Sequence, residues 1–263
     1  MRLDDRRVLV TGASRGIGEA LARAFAAAGA RVALVARSEG AIKELAAELG
    51  GAAHPADLAD PDQVDGLIGR VEADGGPVDV LVNNAGIDAT GWFPTTPEAR
   101  LQQIVQVNLM APMLLCRQAI PGMLDRGLGH VVNISSLAGT AVFPGLVHYS
   151  TTKAGLSHFT AGLRADLKGL PVGATLVEVG PVPTDMLDHV DAYRPTERSF
   201  RRFAQIRLLR DVPREELAEN VVRAVERNHR HVRHPKRALA FPLLTEAPRR
   251  IVEVLLAGVP SRD

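Results

Sequence analysis

The sequence predicts an α/β fold: a doubly wound parallel β-sheet with helices on both faces, in one domain over residues 1–263. Three observations lead there. Apolar runs rich in β-branched residues alternate with helix-period runs along almost the whole chain. The strand candidates are apolar on both faces, as strands covered by helices from both sides are. The first strand passes through a glycine-rich turn straight into a helix, which opens a phosphate-binding βαβ unit.

The first strand candidate is Val8–Val10. It leads into Thr11-Gly-Ala-Ser-Arg-Gly-Ile-Gly18 and then a helix over about 17–28, closed by Gly29. Gly12 lets the chain leave the strand tightly, and Gly16 removes a side chain where a pyrophosphate would approach. Gly18 lets the new helix pack close to the sheet. With Ser14, Arg15 and Ile17 these residues form the candidate phosphate turn, since a helix N-terminus offers unpaired N–H groups and a positive dipole end. The spacing is Gly-x-x-x-Gly-x-Gly, and a plain tight turn is the competing reading. Together these features read as a Rossmann fold.

The second strand, Val32–Val35, ends in Ala36-Arg37. A dinucleotide site that holds a ribose 2′-hydroxyl usually has an acid here. Ala36 stands in its place, and the Arg37 guanidinium suits a 2′-phosphate, with Arg15 in reach of the same point. NADP(H) is therefore the expected cofactor, with NAD(H) as the alternative. A helix over about 41–49 leads to the third strand, Ala52–Ala56, and then to Asp57-Leu58. Asp57 reads either as an acceptor for an adenine amino group, with Leu58 against the ring, or as a cap for the helix over about 61–73. The fourth strand, Val78–Val82, runs into Asn83-Asn84-Ala85-Gly86. Ala85 and Gly86 leave room for a flat ring against the backbone, and the Asn amides can brace the neighbouring strand. One long helix is expected over about 97–124, followed by a strand at His130–Ile134. A helix over about 149–168, a strand at Gly173–Val179, a helix over about 214–228 and a strand at Ala238–Phe241 complete the pattern.

Thr11-Gly-Ala-Ser-Arg-Gly-Ile-Gly18 and Asn83-Asn84-Ala85-Gly86 are followed in order by Asn108, Asn133-Ile-Ser-Ser136-Leu-Ala-Gly139 and Tyr149-Ser-Thr-Thr-Lys153. Over about residues 6–190 the chain resembles the classical short-chain dehydrogenase/reductase (SDR) family. The resemblance implies a nicotinamide cofactor and hydride transfer to or from a carbonyl or alcohol carbon. Tyr149 and Lys153, spaced i, i+4, share one helix face. A free tyrosine is a poor acid–base catalyst at neutral pH, and an ammonium one turn away is expected to lower its pKa. Tyr149 is thus the candidate acid/base. The resemblance gives Lys153 the nicotinamide ribose as well, Ser136 the substrate oxygen, and Asn108 a water that relays protons. A turn or cap hydroxyl at Ser136 and a backbone-bonding Asn108 ahead of Pro112 are the bland readings.

The family pattern places Pro-Gly before Val-x-Thr after the sixth strand. Here Val179 replaces the proline, while Gly180, Val182 and Thr184 match and are expected beside the nicotinamide amide. By the same analogy residues 187–211 form a substrate lid, with Tyr193 and Phe200 beside Arg194, Arg198, Arg201 and Arg202. Trp92 and Phe93, in a loop over 88–97, are expected to face the same cleft. A bulky apolar carbonyl fits the aromatic residues; an acidic or carrier-linked one fits the arginines. His148 faces either the substrate or the protein interior.

The remaining features narrow the class. Lys+Arg 31 against Asp+Glu 30 gives a net charge of +1, and no field recommends nucleic acid. The one cysteine, Cys116, reads as a core filler and excludes an internal disulfide, which fits a cytoplasmic setting. No metal-ligand spacing occurs among the histidines, and no signal peptide or spanning run is seen. The basic block over 227–237 reads as a solvated helix end and loop, with a peripheral membrane contact as its alternative. The C-terminal segment, variable from about 229, contains an amphipathic helix candidate over 248–257. Family resemblance favours a homodimer or homotetramer. The expected activity is that of an NADP(H)-dependent carbonyl reductase or alcohol dehydrogenase acting on a small molecule. A 3-oxoacyl-carrier-protein reductase shares every motif, and a non-catalytic NADP-sensing interaction protein is the reading from another class.

Overall fold

The central strands alternate their side chains between two separate apolar layers, which is why runs such as Val8-Leu9-Val10 and Val80-Leu81-Val82 are apolar on both faces. In the computed structural model, residues 1–88, 90–140, 143–180, 193–205 and 213–234 are described. The strands are β1 (Arg7–Thr11), β2 (Arg31–Ala36), β3 (Ala52–Pro55), β4 (Val80–Asn83), β5 (Gly129–Ser136), β6 (Val172–Val179) and β7 (His231–His234). They form one sheet in the order β3-β2-β1-β4-β5-β6-β7, and every pairing is parallel. Val8, Val10, Val80 and Val82 enter one layer, with Leu21 and Phe25 of α1 (Gly16–Ala27) and Ile42 of α2 (Glu39–Leu49). Leu9, Ala33, Val35 and Leu81 enter the other.

The sequence expects one helix over 61–73; the structure has α3 (Pro61–Val64) and α4 (Leu67–Gly75). Gly66, at φ +62°, breaks the run. The long helix expected over 97–124 is α5 (Glu98–Val105), a π-turn at Gln106–Met110 and α6 (Ala111–Asp125). Then come α7 (Val147–Asp166), α8 (Arg194–Gln205) and α9 (Arg214–Glu226). Leu217 and Val221 of α9 join the first layer; Leu115 and Met123 of α6 join the second.

The basic block corrects the sequence reading. Residues 231–234, expected in a solvated loop, form β7 beside β6. Arg233 lies opposite Glu178 in register and donates from Nε to its Oε2 at 2.6 Å, with Glu178 buried and Arg233 partly buried. A buried charge persists only with such a partner, and that partner is distant in sequence. The strand candidate Ala238–Phe241 and the helix candidate over 248–257 lie outside the described residues. So does the lid except for 193–205, which contains α8. Among the described residues, no helix is long and apolar enough to cross a membrane, and no His/Cys/Asp/Glu group suits a metal ion.

Strand order reverses between β1 and β4. Ligands of such sheets bind at the carboxyl ends of the strands around that switch. Thr11-Gly12 and Asn83–Gly86 stand there.

Candidate active site

Thr11 ties the two strand ends together. Its Oγ1 accepts from the amides of Asn84 and Ala85, each at 3.0 Å. Asn84 Nδ2 donates back to the carbonyls of Thr11 at 2.9 Å and Gly12 at 3.3 Å. The packing leaves no space for side chains: a Cβ on Gly12 would sit 2.8 Å from Ala85 Cα, and one on Gly18 would sit 2.1 Å from the Gly12 oxygen. Gly18 thus approaches the turn's own carbonyl as well as Asn84. Gly12 and Gly16 adopt positive φ of +66° and +61°. Helix α1 starts after Arg15 with no side-chain cap, so its N-terminus suits an anion. Ser14 and Ile17 are partly buried in this turn, and Arg15 is exposed.

Arg37 is exposed immediately beyond the buried Ala36 at the end of β2. Asp57 and the neighbouring aspartate divide the roles expected of Asp57. Asp60 caps α3, accepting from the Asp62 amide at 3.0 Å, while Asp57 Oδ1 accepts from the Ala59 amide at 2.9 Å. Leu58 is buried in the second apolar layer.

The four candidate catalytic residues meet at the end of β5 and the first turns of α7. Ser136 ends β5. Its hydroxyl caps the short turn Leu137–Gly139 by accepting from the Ala138 amide at 3.1 Å, donates to the Val179 carbonyl at 3.3 Å, and stands close enough to Tyr149 to pull that phenol's pKa down. The cap and the contact with Tyr149 coexist. Lys153 is 4% exposed; its Nζ donates to the Ile134 carbonyl at 2.9 Å and stands 5.8 Å from the centre of the Tyr149 ring. Asn108 lies in the π-turn, fully buried. Its amide pairs with the backbone of Ile87 at 2.8 Å in both directions and reaches Thr152 Oγ1 at 3.2 Å. Such single-turn π-bulges often mark functional sites.

Electrostatics correct one expectation. Burial pushes the Tyr149 phenol up to about 12; the Ser136 hydrogen bond pulls it down and the Asp88 charge adds to the rise. Burial lowers Lys153 to about 8. The Tyr149 pKa is thus raised where a lowering is expected, because Lys153 points its ammonium at the Ile134 carbonyl and desolvation of the phenolate dominates.

A Cβ on Gly86 would lie 3.5 Å from both Lys153 Nζ and Asn108 Oδ1. The bare face of Gly86 therefore opens a space bounded by the two polar groups. His148, 5% exposed, turns inward: its ring lies 5.7 Å from Phe93 and its Nε2 3.5 Å from Thr96 Oγ1. Trp92 and Phe93 are 61% and 47% exposed. Tyr193 and Thr196, at the start of α8, pack on Gly145, and Thr196 donates to the Pro144 carbonyl at 2.7 Å. Gly180 donates its amide to the His234 carbonyl; Val182 and Thr184 lie outside the described residues. Cys116 is buried in the second apolar layer, where burial pushes its thiol up to about 12. Sequence reasoning gives no role to Thr11 or Asp88 and weighs Ser135 only as a rival to Ser136; the partners of Thr11 and Ser135 lie on other elements.

A family model described as short chain dehydrogenase matches residues 6–194. The chain belongs to the short chain dehydrogenase family. The ketoacyl reductase HetN of Nostoc sp. is 39% identical over 185 residues, which cover 68% of this chain and 64% of HetN, less than two thirds of that protein's length. A short-chain dehydrogenase from Streptomyces avermitilis superposes with a TM-score of 0.79 at 29% identity, covering 97% of each chain. A metagenomic short-chain oxidoreductase solved in complex with NADP gives a TM-score of 0.72 at 30% identity, covering 89% of this chain and 98% of its own. This short chain dehydrogenase thus carries a parallel sheet of the Rossmann type.

Proposed function

We propose that this short chain dehydrogenase is an NADP(H)-dependent oxidoreductase acting on a carbonyl or secondary alcohol carbon. The observation that carries the reading is Tyr149 beside Ser136, with the buried Lys153 ammonium 5.8 Å from the Tyr149 ring centre. The residues present fit a dinucleotide. An uncapped helix N-terminus follows the glycine turn, and a Cβ at Gly86 would fill the space beside Lys153. Gly12, Ser14, Arg15, Gly16, Ile17 and Gly18 would hold the phosphates. Arg37 with Arg15 would hold a 2′-phosphate, and Asp57 with Leu58 would meet the adenine. Asn84, Ala85, Gly86, Gly180, Val182 and Thr184 would line the nicotinamide end. A bound nicotinamide supplies or removes the hydride.

Every other step belongs to the chain. Ser136 orients the substrate oxygen. Tyr149, protonated at neutral pH because burial raises its pKa, donates its proton to that oxygen during reduction. Lys153 stabilises the phenolate left behind and would hold the ribose of the bound cofactor. Asn108, held on the Ile87 backbone, positions a water for proton return. The name of HetN and the exposed Arg194 and Arg198 on α8 favour a second reading, reduction of carrier-bound 3-oxoacyl groups.

The test is a paired titration with NADPH and NADH followed by nicotinamide fluorescence, then a screen of free ketones against acyl-carrier substrates. Tighter NADPH binding with turnover lost in Tyr149→Phe is expected. Turnover retained in that variant overturns the mechanism.

A further inference from the structure

We infer that Ser135 and Ser157 are positioning residues that pin Lys153 at its backbone while Ile134 holds it at its ammonium. The inference rests on the proposed role of Lys153. Two consecutive residues of β5 grip α7. The Ile134 carbonyl accepts from Lys153 Nζ at 2.9 Å and Ser135 Oγ donates to the Lys153 carbonyl at 2.8 Å, while the next residue, Ser136, stands beside Tyr149. Both ends of the lysine are therefore fastened to one strand end, with a four-carbon stem between them.

The direction of each bond follows from proton counting. Ser135 has one hydroxyl proton and gives it to the Lys153 carbonyl. In the 2.8 Å contact between Ser135 Oγ and Ser157 Oγ, Ser157 is then the donor. The chain Ser157 to Ser135 to Lys153 is buried throughout: the three residues are 3%, 3% and 4% exposed. A helix carbonyl already accepts from the amide four residues on. The Ser135 bond is thus additional to what backbone satisfaction requires, at a place where buried hydroxyls cost free energy unless paired. The neighbouring turn closes on the same peptide, since a Cβ on Gly139 would lie 2.9 Å from the Lys153 carbonyl carbon. The grip therefore fixes the lysine beside Gly86, away from water, where it faces Tyr149 and the ribose position.

Lys153 is one of four lysines, with Lys43, Lys168 and Lys236, so its titration is separable by NMR of the full-length protein labelled at lysine Cε. Lys153→Met assigns the signal. The wild-type midpoint is expected at about 8. In Ser135→Ala, water reaching the loosened ammonium should raise the midpoint by about one unit. Ser135→Thr keeps the hydroxyl and should return it to the wild-type value. Ser157→Ala removes only the outer bond and should shift it less in the same direction; it carries the test if Ser135→Ala does not fold. Carbonyl reduction by Ser135→Ala should fall about tenfold in kcat, as misplaced catalytic groups do. A Lys153 midpoint unchanged in the folded Ala variants overturns the inference, even where thermal stability drops. A shifted midpoint in a protein that reduces no carbonyl upholds the pinning and overturns the catalytic reading instead.

Discussion

Asn108 holds the backbone of Ile87 from both sides: its Nδ2 donates to the Ile87 carbonyl and its Oδ1 accepts from the Ile87 amide, both at 2.8 Å. The π-turn at Gln106–Met110 supplies the geometry, because its extra residue re-aims one side chain out of the helical ladder. The pairing ties the α5–α6 junction to the chain leaving Gly86. Asn108→Ala strands two backbone groups, each costing about 1–3 kcal/mol. Urea unfolding should therefore show a loss of about 3 kcal/mol, with reduced turnover. Asn108→Asp keeps the acceptor but loses the donor and should fall between. Unchanged stability in the Ala variant would mean the pairing is not maintained in solution.

The pH profile of reduction should follow Lys153 before Tyr149. Both groups act in their protonated forms. Burial puts Lys153 at about 8 and Tyr149 at about 12, so the lysine loses its proton first as pH rises. kcat/KM for carbonyl reduction, which reports groups of the free enzyme, should be level below pH 8 and then fall, by about tenfold per unit in the single-group limit. A level profile to pH 10 would remove the charged lysine from the mechanism.

Cofactor choice should turn on Arg37. The residue stands exposed at the end of β2, beyond Ala36, where no acid opposes a 2′-phosphate. A charge-assisted bond to phosphate contributes about 1.5–3 kcal/mol. Arg37→Asp removes that bond and adds a repelling charge, so the ratio of NADPH to NADH affinity should drop by one to two decades, about 1.4 kcal/mol each. Fluorescence titration with both cofactors checks it, and an unchanged ratio returns Arg37 to a solvated strand end.

Much of this site was legible because its chemistry is local. The glycine turn, Asn-Asn-Ala-Gly and Tyr149-x-x-x-Lys153 each lie within one stretch whose secondary structure the sequence states. The central strands β1 and β4 were legible because they are apolar and buried on both faces. Three things were not legible. The π-turn at Asn108 depends on Ile87, a residue on another segment. β7 carries one buried valine, a buried histidine and a partly buried arginine, and that arginine pairs with Glu178 across the sheet. The sign of the Tyr149 shift depends on how deeply α7 buries the phenol, against an ammonium that faces a carbonyl.

Gly18→Ala should damage binding and stability together. Its Cβ would meet the Gly12 oxygen at 2.1 Å and Asn84 Nδ2 at 2.6 Å. The first obstacle is backbone in a turn already fixed by Thr11 and Asn84, so relief requires moving the turn or α1. Overpacking of this kind costs about 1–3 kcal/mol. Thermal unfolding should fall accordingly, and NADPH should no longer bind tightly. Gly40→Ala, where the Cβ meets nothing within 4 Å, is the control. Equal behaviour of the two variants would contradict the close packing.

His130 gives the fold an acid-sensitive point remote from the candidate site. Its ring is 2% exposed, with Nε2 2.8 Å from Thr175 Oγ1. The Thr175 hydroxyl gives its own proton to the His229 carbonyl at 2.6 Å, so Nε2 of His130 is the donor and Nδ1 carries no proton. Protonation would charge a ring walled in by protein, and burial lowers its pKa from 6.5 to about 4, with the N-terminal ammonium and Arg164 adding to the shift. Between those values the unfolded chain binds a proton that the native state refuses. The stabilisation is whole above pH 6.5, and it is lost as pH falls toward 4. Native stability should drop by about 2 kcal/mol between pH 7.5 and pH 5 from this group. His130→Gln keeps a donor for Thr175 and cannot titrate, so its urea midpoint should fall less over the same range. A variant whose pH dependence parallels the wild type would assign the acid sensitivity to other groups.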